Sequence, residues 1–272
     1  MNISSQKVAV VIPIYTTKLS SDELSSLHNN IKILNNHPIY IVAPEGLCVD
    51  ELIANKPNIN TIFFHPKYFK SIKSYNKLLL SDFFYTAFID YDFILICQVD
   101  AIVFSDELTI WCAKNHDYIA APWFVKSNSS TPLFIGVGNG GFSLRKIRTH
   151  IDILQSKNIF YSSTKMESLN IWFGLKNIIL IKLFVLLKKF KMKINYLKLF
   201  LLFFTDHEDV FWSGFGRFFI EDFSIPYQEE AIRFAFETEP AHCYSLNNKQ
   251  LPFGAHAWFK YDREFWKDKI NK

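Results

Sequence analysis

From Val8 to Tyr15 the chain reads VAVVIPIY, eight apolar residues without a polar interruption. A strand with one wet face would alternate, so an unbroken run of this kind is the mark of a strand covered on both faces, as in a parallel sheet. Ile39 to Ala43 and Phe93 to Cys97 (FILIC) repeat the pattern. Between the first two runs lies Leu19 to Leu34, opened by Ser20 and Ser21 with Asp22 and Glu23 behind them, which predicts a capped helix. Strand, helix, strand implies a right-handed crossover between parallel strands. With Thr61 to Phe64 as a third strand and Ser74 to Phe88 as a second helix, the first hundred residues predict a βαβ-type nucleotide-binding half.

The middle of the chain is less regular. Tyr118 to Phe124 (YIAAPWF) reads as a short strand, 126–131 as a Ser- and Asn-rich loop, and Gly136 to Gly141 as a glycine cluster. Ile178 to Phe204 is aliphatic and aromatic, broken by Lys182, Lys188, Lys189, Lys191, Lys193 and Lys198. At 100° per residue these lysines do not share one face, and no stretch reaches the ~20 apolar residues that cross a bilayer. Two core helices with lysines snorkelling at their ends is the expected reading; attachment to an anionic membrane surface is the alternative.

Composition sets bounds on this picture. A 49% hydrophobic and 17% aromatic content over 272 residues supplies a full core, and a net charge of +4 forces no phosphate-gripping stripe, so no nucleic-acid partner is expected. The length suits one α/β domain over 1–272, with a regular half at 1–125 and a decorated half at 126–272 that carries the basic apolar segment 176–204. Cys48, Cys97, Cys112 and Cys243 have no C-x-x-C spacing, which points to a reducing compartment. The apolar run near the N-terminus is short for a signal peptide, and a cytoplasmic protein is the expectation.

Four places could carry chemistry. Asp100 follows the apolar strand FILIC through Gln98 and Val99, at the end of the strand where open α/β sheets place ligands. Its carboxylate could hold magnesium or manganese against a diphosphate, or simply cap the turn. Gly136, Gly138 and Gly141 satisfy G-x-G-x-x-G, but they fall in mid-chain and lack the acidic residue about 20 positions on, so a nicotinamide-dependent oxidoreductase ranks last. A loop that brings backbone close to a sugar or phosphate is the better account of Asn139, Gly140 and Gly141. Glu208 and Asp209 precede an aromatic step, where a carboxylate with a raised pKa can act as a general base; a solvated helix N-terminus is the simpler reading on pattern alone, and the two cannot both point at one site with equal ease. His256 lies in LPFGAHAW; a lone histidine is more often a packed side chain, but Pro252 and Gly254 make a shaped loop in which neutral imidazole is a competent metal ligand.

Taken in order, LSSDELSSLHNNIKIL, HPIYIVAPEGL, KYFKSIKSYNKLLLS, DFILICQVDAIVF, DYIAAPWF, GNGGFSLR, HEDVFW and LPFGAHAW resemble a largely uncharacterised bacterial family of GT-A-type glycosyltransferases with a QLDA-like motif at the metal strand. The resemblance implies a GT-A-like fold and a hexosyltransferase. Its nucleotide-sugar donor would be a UDP-sugar and its acceptor a glycan or glycolipid, in lipopolysaccharide or other surface polysaccharide assembly, with peripheral contact to the inner membrane. It implies a Mn²⁺ or Mg²⁺ ion held by Asp100 and His256, with Gln98 replacing the first aspartate of a D-x-D motif, and an inverting reaction with Asp209 as base and Glu208 as the fallback. Pro13, Tyr15, Glu45 and Asn76 then become donor contacts together with Gln98 and Asp100. Trp123 becomes either a stacking platform for a sugar ring or a core tryptophan. A non-catalytic carbohydrate-binding or scaffolding protein at a membrane surface is the alternative on the same fold.

Overall fold

The computed structural model describes residues 6–53, 59–125, 131–156, 179, 181–183, 186–187, 189–190 and 194–270. In chain order the elements that build the site are β1 (Val8–Pro13), α1 (Ser21–Ile33), β2 (Ile39–Pro44), β3 (Ile59–Phe64), α2 (Ile72–Leu79), α3 (Asp82–Thr86), β4 (Phe93–Cys97), β5 (Ile102–Val103), α4 (Leu108–Ala113), β6 (Tyr118–Ala120), β7 (Pro122–Val125), β8 (Leu133–Val137), β9 (Phe142–Lys146), α5 (Ile147–Gln155), β10 (Ala235–Phe236) and β11 (Gly254–Ala255). The molecule is mixed α/β around a six-stranded sheet ordered β3-β2-β1-β4-β9-β6. Its first four strands are parallel, while β9 runs antiparallel between β4 and β6.

The apolar runs divide their side chains between the two faces of this sheet. Ala9, Val11, Ile94 and Ile96 enter one core, whereas Val8, Val10, Ile12, Phe93, Leu95 and Cys97 enter the other. That division explains why the sequence shows no alternation. Helix α1 begins with a reciprocal capping box, in which Glu23 N–H donates to Ser20 Oγ at 3.2 Å and Ser20 N–H donates to Glu23 Oε2 at 2.8 Å.

Two expected elements are each split in two. The helix expected over Ser74 to Phe88 is α2 and α3, because side chains take the carbonyls at the break: Ser81 Oγ donates to Leu78 and Tyr85 Oη to Leu79. The strand expected over Tyr118 to Phe124 divides at Ala121, since Pro122 has no N–H to continue a central ladder. Its second half, β7, pairs with β8 in a separate hairpin. Of the basic apolar segment, the helix Tyr196–Phe203 is described, with Tyr196, Leu197 and Phe200 buried; most of 176–193 and the loop 126–130 lie outside the described residues. Among the described residues no helix is long and apolar enough to cross a membrane.

A small second sheet, ordered β10-β11-β5, joins the C-terminal part of the chain to the turn that follows β4. Ala255 pairs with Ile102, which sets His256 beside the turn that carries Asp100. Asn30, buried on α1, locks the same turn from below: its Nδ2 donates to Ala101 O at 2.7 Å and its Oδ1 accepts from Val103 N at 2.8 Å.

Candidate active site

Strand β1 has β2 on one side and β4 on the other, so the chain winds outward in opposite directions from this point. In such sheets the crevice beyond the carboxyl ends of the two diverging strands is where a ligand fits. A cleft of about 570 Å³ opens there. Pro13 and Tyr15 reach it from the end of β1, and Gln98, Val99 and Asp100 from the end of β4. Asn76 of α2, Trp123 of β7, the Asn139–Gly141 loop, Glu208, Asp209 and His256 complete a wall to which both halves of the chain contribute. Glu45 does not join them; it sits on an exposed turn where its N–H donates to Phe64 O at 2.9 Å.

At one end of the cleft Asp100 is held between two cations. His256 Nε2 lies 3.2 Å from Oδ1 and Lys260 Nζ lies 2.5 Å from Oδ2. Burial works against ionisation of Asp100, but the hydrogen bonds and charges of His256 and Lys260 outweigh it and hold the carboxyl well below the usual range. The other ring nitrogen of His256 is 3.1 Å from Glu237 Oε1, to which the protonated ring donates; Asn139 Nδ2, 2.8 Å away, can donate to that nitrogen only when the ring is neutral. Burial alone would depress the imidazole; bonds to the Asp100 and Glu237 carboxylates push it up to about 9. A turn at Ala257, with φ at +48°, brings Lys260 back over this cluster, its N–H donating to Ala257 O at 2.8 Å.

At the other end two adjacent carboxylates have separate fates. Glu208 takes a two-pronged ion pair from Arg145 of β9, at 2.7 and 2.9 Å, with both side chains almost wholly buried. The remaining donors of Arg145 go to Ser143 Oγ at 2.9 Å, Tyr85 Oη at 3.0 Å and Gly140 O at 3.3 Å. Glu208 is therefore committed to holding its segment down. Asp209 accepts from Gly140 N at 3.2 Å and from its own neighbour Val210 N at 2.8 Å, and its half-buried carboxylate lines the cleft. Burial pushes its pKa upward, opposed by those two N–H groups.

The glycine loop connects the two ends. Asn139 shapes it by accepting from Gly141 N at 2.8 Å and Phe142 N at 3.2 Å. A Cβ on Gly140 would overlap Glu208 Oε1, and one on Gly141 would overlap His256 Nε2. The missing side chains thus make room for the protein's own groups, rather than chiefly for a sugar or phosphate. The loop leads from β8 into strand β9 with no helix opening on it, so it is not the strand-to-helix turn that a dinucleotide site requires. Trp123 is half-buried rather than part of the core: its ring lies against Gly136 and lines the cleft.

Several lining residues escaped sequence reasoning: Glu23, Lys70, Ser71, Tyr75, His207, Glu237 and Lys260. Lys260 lies only four positions beyond His256, two past the end of the LPFGAHAW block, so proximity to that block was the available signal. Glu237 follows a two-residue strand and carries no signal at all.

A divalent cation at Asp100 and His256 would need free oxygen and nitrogen lone pairs. Both oxygens of Asp100 already meet cations, both nitrogens of His256 are engaged, and Gln98 supplies an amide where a second carboxylate would stand. With His256 protonated, Asp100 and Glu237 face His256 and Lys260, and the cluster balances its own charge. Among the described residues no group of three or more His, Cys, Asp or Glu side chains could hold a metal ion. The expected Mn²⁺ or Mg²⁺ does not fit the cluster as folded, because an ammonium occupies the coordinating side of the carboxylate.

Among solved structures, the chain is similar to galactosyltransferase LgtC in complex with donor and acceptor sugar analogs, at 12% identity and a TM-score of 0.48 over 91% of this chain and 86% of that one. It is also similar to the WbbM bifunctional glycosyltransferase, at 11% identity and 0.43 over 93% and 46%, and to S. aureus TarS 1-349 in complex with UDP-GlcNAc, at 11% identity and 0.32 over 53% and 46%. No curated protein matches it in sequence. The profile of the family described as "Protein of unknown function (DUF5672)" matches residues 58–256, which span the Asp100 turn, the glycine loop, the Glu208–Asp209 pair and His256, and the chain belongs to that family.

Proposed function

We propose that the chain is an inverting glycosyltransferase that moves a hexose from a nucleoside-diphosphate donor, a UDP-sugar, to a hydroxyl of a glycan or glycolipid acceptor. The observation that carries this reading is the pairing, within one cleft at the sheet's switch point, of a charge-rich Asp100 turn with the separate carboxylate of Asp209. The donor's nucleoside would rest by Pro13, Tyr15 and Asn76, with its diphosphate toward the Asp100 cluster. Trp123 would offer a face to a sugar ring. Asp209 takes the proton from the acceptor hydroxyl; its raised pKa suits a base for that step. The acceptor oxygen forms a bond to the anomeric carbon as the bond to the β-phosphate oxygen breaks, and the electron pair leaves on the diphosphate. One displacement by one base inverts the anomeric centre. Glu208 takes no part as a base, because Arg145 holds both of its oxygens.

A panel of UDP-, GDP- and CMP-sugars assayed for hydrolysis and for transfer to oligosaccharide acceptors tests the reading, with product configuration read by NMR. Asp209→Asn is expected to lower turnover by about 10²- to 10⁴-fold while donor affinity stays within a few fold. Wild-type turnover in that variant would remove Asp209 from the mechanism. Binding of donors without turnover would leave the non-catalytic carbohydrate-binding alternative.

A further inference from the structure

The charge-balanced cluster at Asp100 contains one cation whose donors are not used up. An ammonium carries three N–H donors, and Asp100 Oδ2 takes one from Lys260. The Lys260 side chain is 58% exposed and lines the cleft, whereas the two nitrogens of His256 are turned to Asp100 and Glu237. His256 fixes Asp100 from one side, Asp100 aims the ammonium from the other, and the turn at Ala257 sets the reach of the lysine. We infer that Lys260, anchored on Asp100, receives the diphosphate of the donor through the ammonium N–H donors that Asp100 leaves free, at the place where a divalent cation would otherwise stand. This rests on the glycosyltransferase reading and deepens it.

In the transfer step the anomeric C–O bond to the β-phosphate breaks and its electron pair stays on the phosphate oxygen. Lys260 donates N–H bonds to that oxygen and keeps its proton. The proton released by the acceptor hydroxyl goes to Asp209, so the step needs no further reactant. An ammonium is a strongly hydrated point charge that binds phosphate well without a forked geometry, which suits a leaving group whose oxygens shift during reaction.

Calorimetric titration of the full chain with UDP, GDP and inorganic pyrophosphate, once in EDTA and once in manganese, tests the assignment. Wild-type affinity for the best of these probes is expected to agree within about threefold between the two buffers. In EDTA, Lys260→Met is expected to bind about ten- to a hundredfold more weakly, and Lys260→Arg within a few fold of wild type. The double variant Asp100→Asn/Lys260→Met separates contact from screening: binding that stays weak supports contact, and recovery to wild-type affinity would show that Lys260 merely neutralises Asp100, overturning the inference. Binding that needs manganese and vanishes in EDTA would also overturn it while leaving the glycosyltransferase reading intact. Failure of that reading looks different, with no nucleoside diphosphate bound by the wild type in either buffer. Thermal melts of each variant confirm folding, and Lys260→Gln replaces any that does not fold.

Discussion

Glu208 and Asp209 show how much of a site can depend on one distant side chain. Residue type and position offer both adjacent carboxylates as a candidate base, and the family resemblance favours Asp209. The structure separates the two through Arg145, 63 residues away on β9, which is buried and binds Glu208 through two nitrogens. No local pattern announces such a pair. It also sets the energetic stakes, since removing one partner strands the other charge in the interior. Glu208→Ala is expected to cost about 3–5 kcal/mol, read as a lower urea midpoint with an unchanged slope. Asp209→Asn, at a half-buried site, keeps an acceptor for only one of its two backbone N–H partners, and should lower that midpoint by much less, about 1 kcal/mol. A Glu208→Ala variant as stable as wild type would show that the ion pair contributes nothing net. Asp100 and His256, by contrast, were legible from sequence because each sits where chain chemistry is distinctive: a strand end after FILIC, and a loop shaped by Pro252 and Gly254.

Among the elements, β1, β2 and β4 were readable to within a few residues at each end, because a strand buried on both faces writes itself as an unbroken apolar run. The strands that assemble the site were not readable. Strands β5, β10 and β11 have two residues each, too few to display any period, yet their pairing is what brings His256 to Asp100 across most of the chain. The glycine loop between β8 and β9 is intermediate: its composition is conspicuous, but its purpose emerges only once His256 and Glu208 are seen against the bare Cα atoms. Gly141→Ala tests that purpose. The added methyl would overlap the His256 ring and approach Gln98 Oε1 at 2.8 Å, so the imidazole must move off Asp100. A cost of about 1–3 kcal/mol in stability is expected, as for overpacking generally, together with weaker nucleotide binding. Unchanged stability and binding in this variant would mean that the loop gives way freely and does not couple the two ends of the cleft.

For the whole molecule the Asp100 cluster acts as a link between the N-terminal sheet, which contributes Asp100, and the C-terminal segment, which contributes Glu237, His256 and Lys260. Linkage gives this joint a definite pH dependence. The folded-state pKa of His256 is raised from 6.5 to about 9, so its contribution is complete below about pH 6.5 and is lost as pH climbs through about 9. Asp100 is shifted the other way, from 3.8 downward, so its contribution is present above about pH 4 and is lost on acidification. Between those limits both ion pairs stand. Urea midpoints measured from pH 5 to 9.5 are therefore expected to hold steady up to about pH 6.5 and then fall toward pH 9. His256→Gln, which keeps hydrogen-bonding capacity but cannot be protonated, should start lower and lose this slope. Because the joint ties the last strand of the fold to the first half of the chain, the alkaline loss should also show as faster cleavage of the segment after Phe236 by an added protease. A wild-type profile as flat as that of the variant would mean that the imidazole between Asp100 and Glu237 is neutral throughout, and that Lys260 alone balances the two carboxylates.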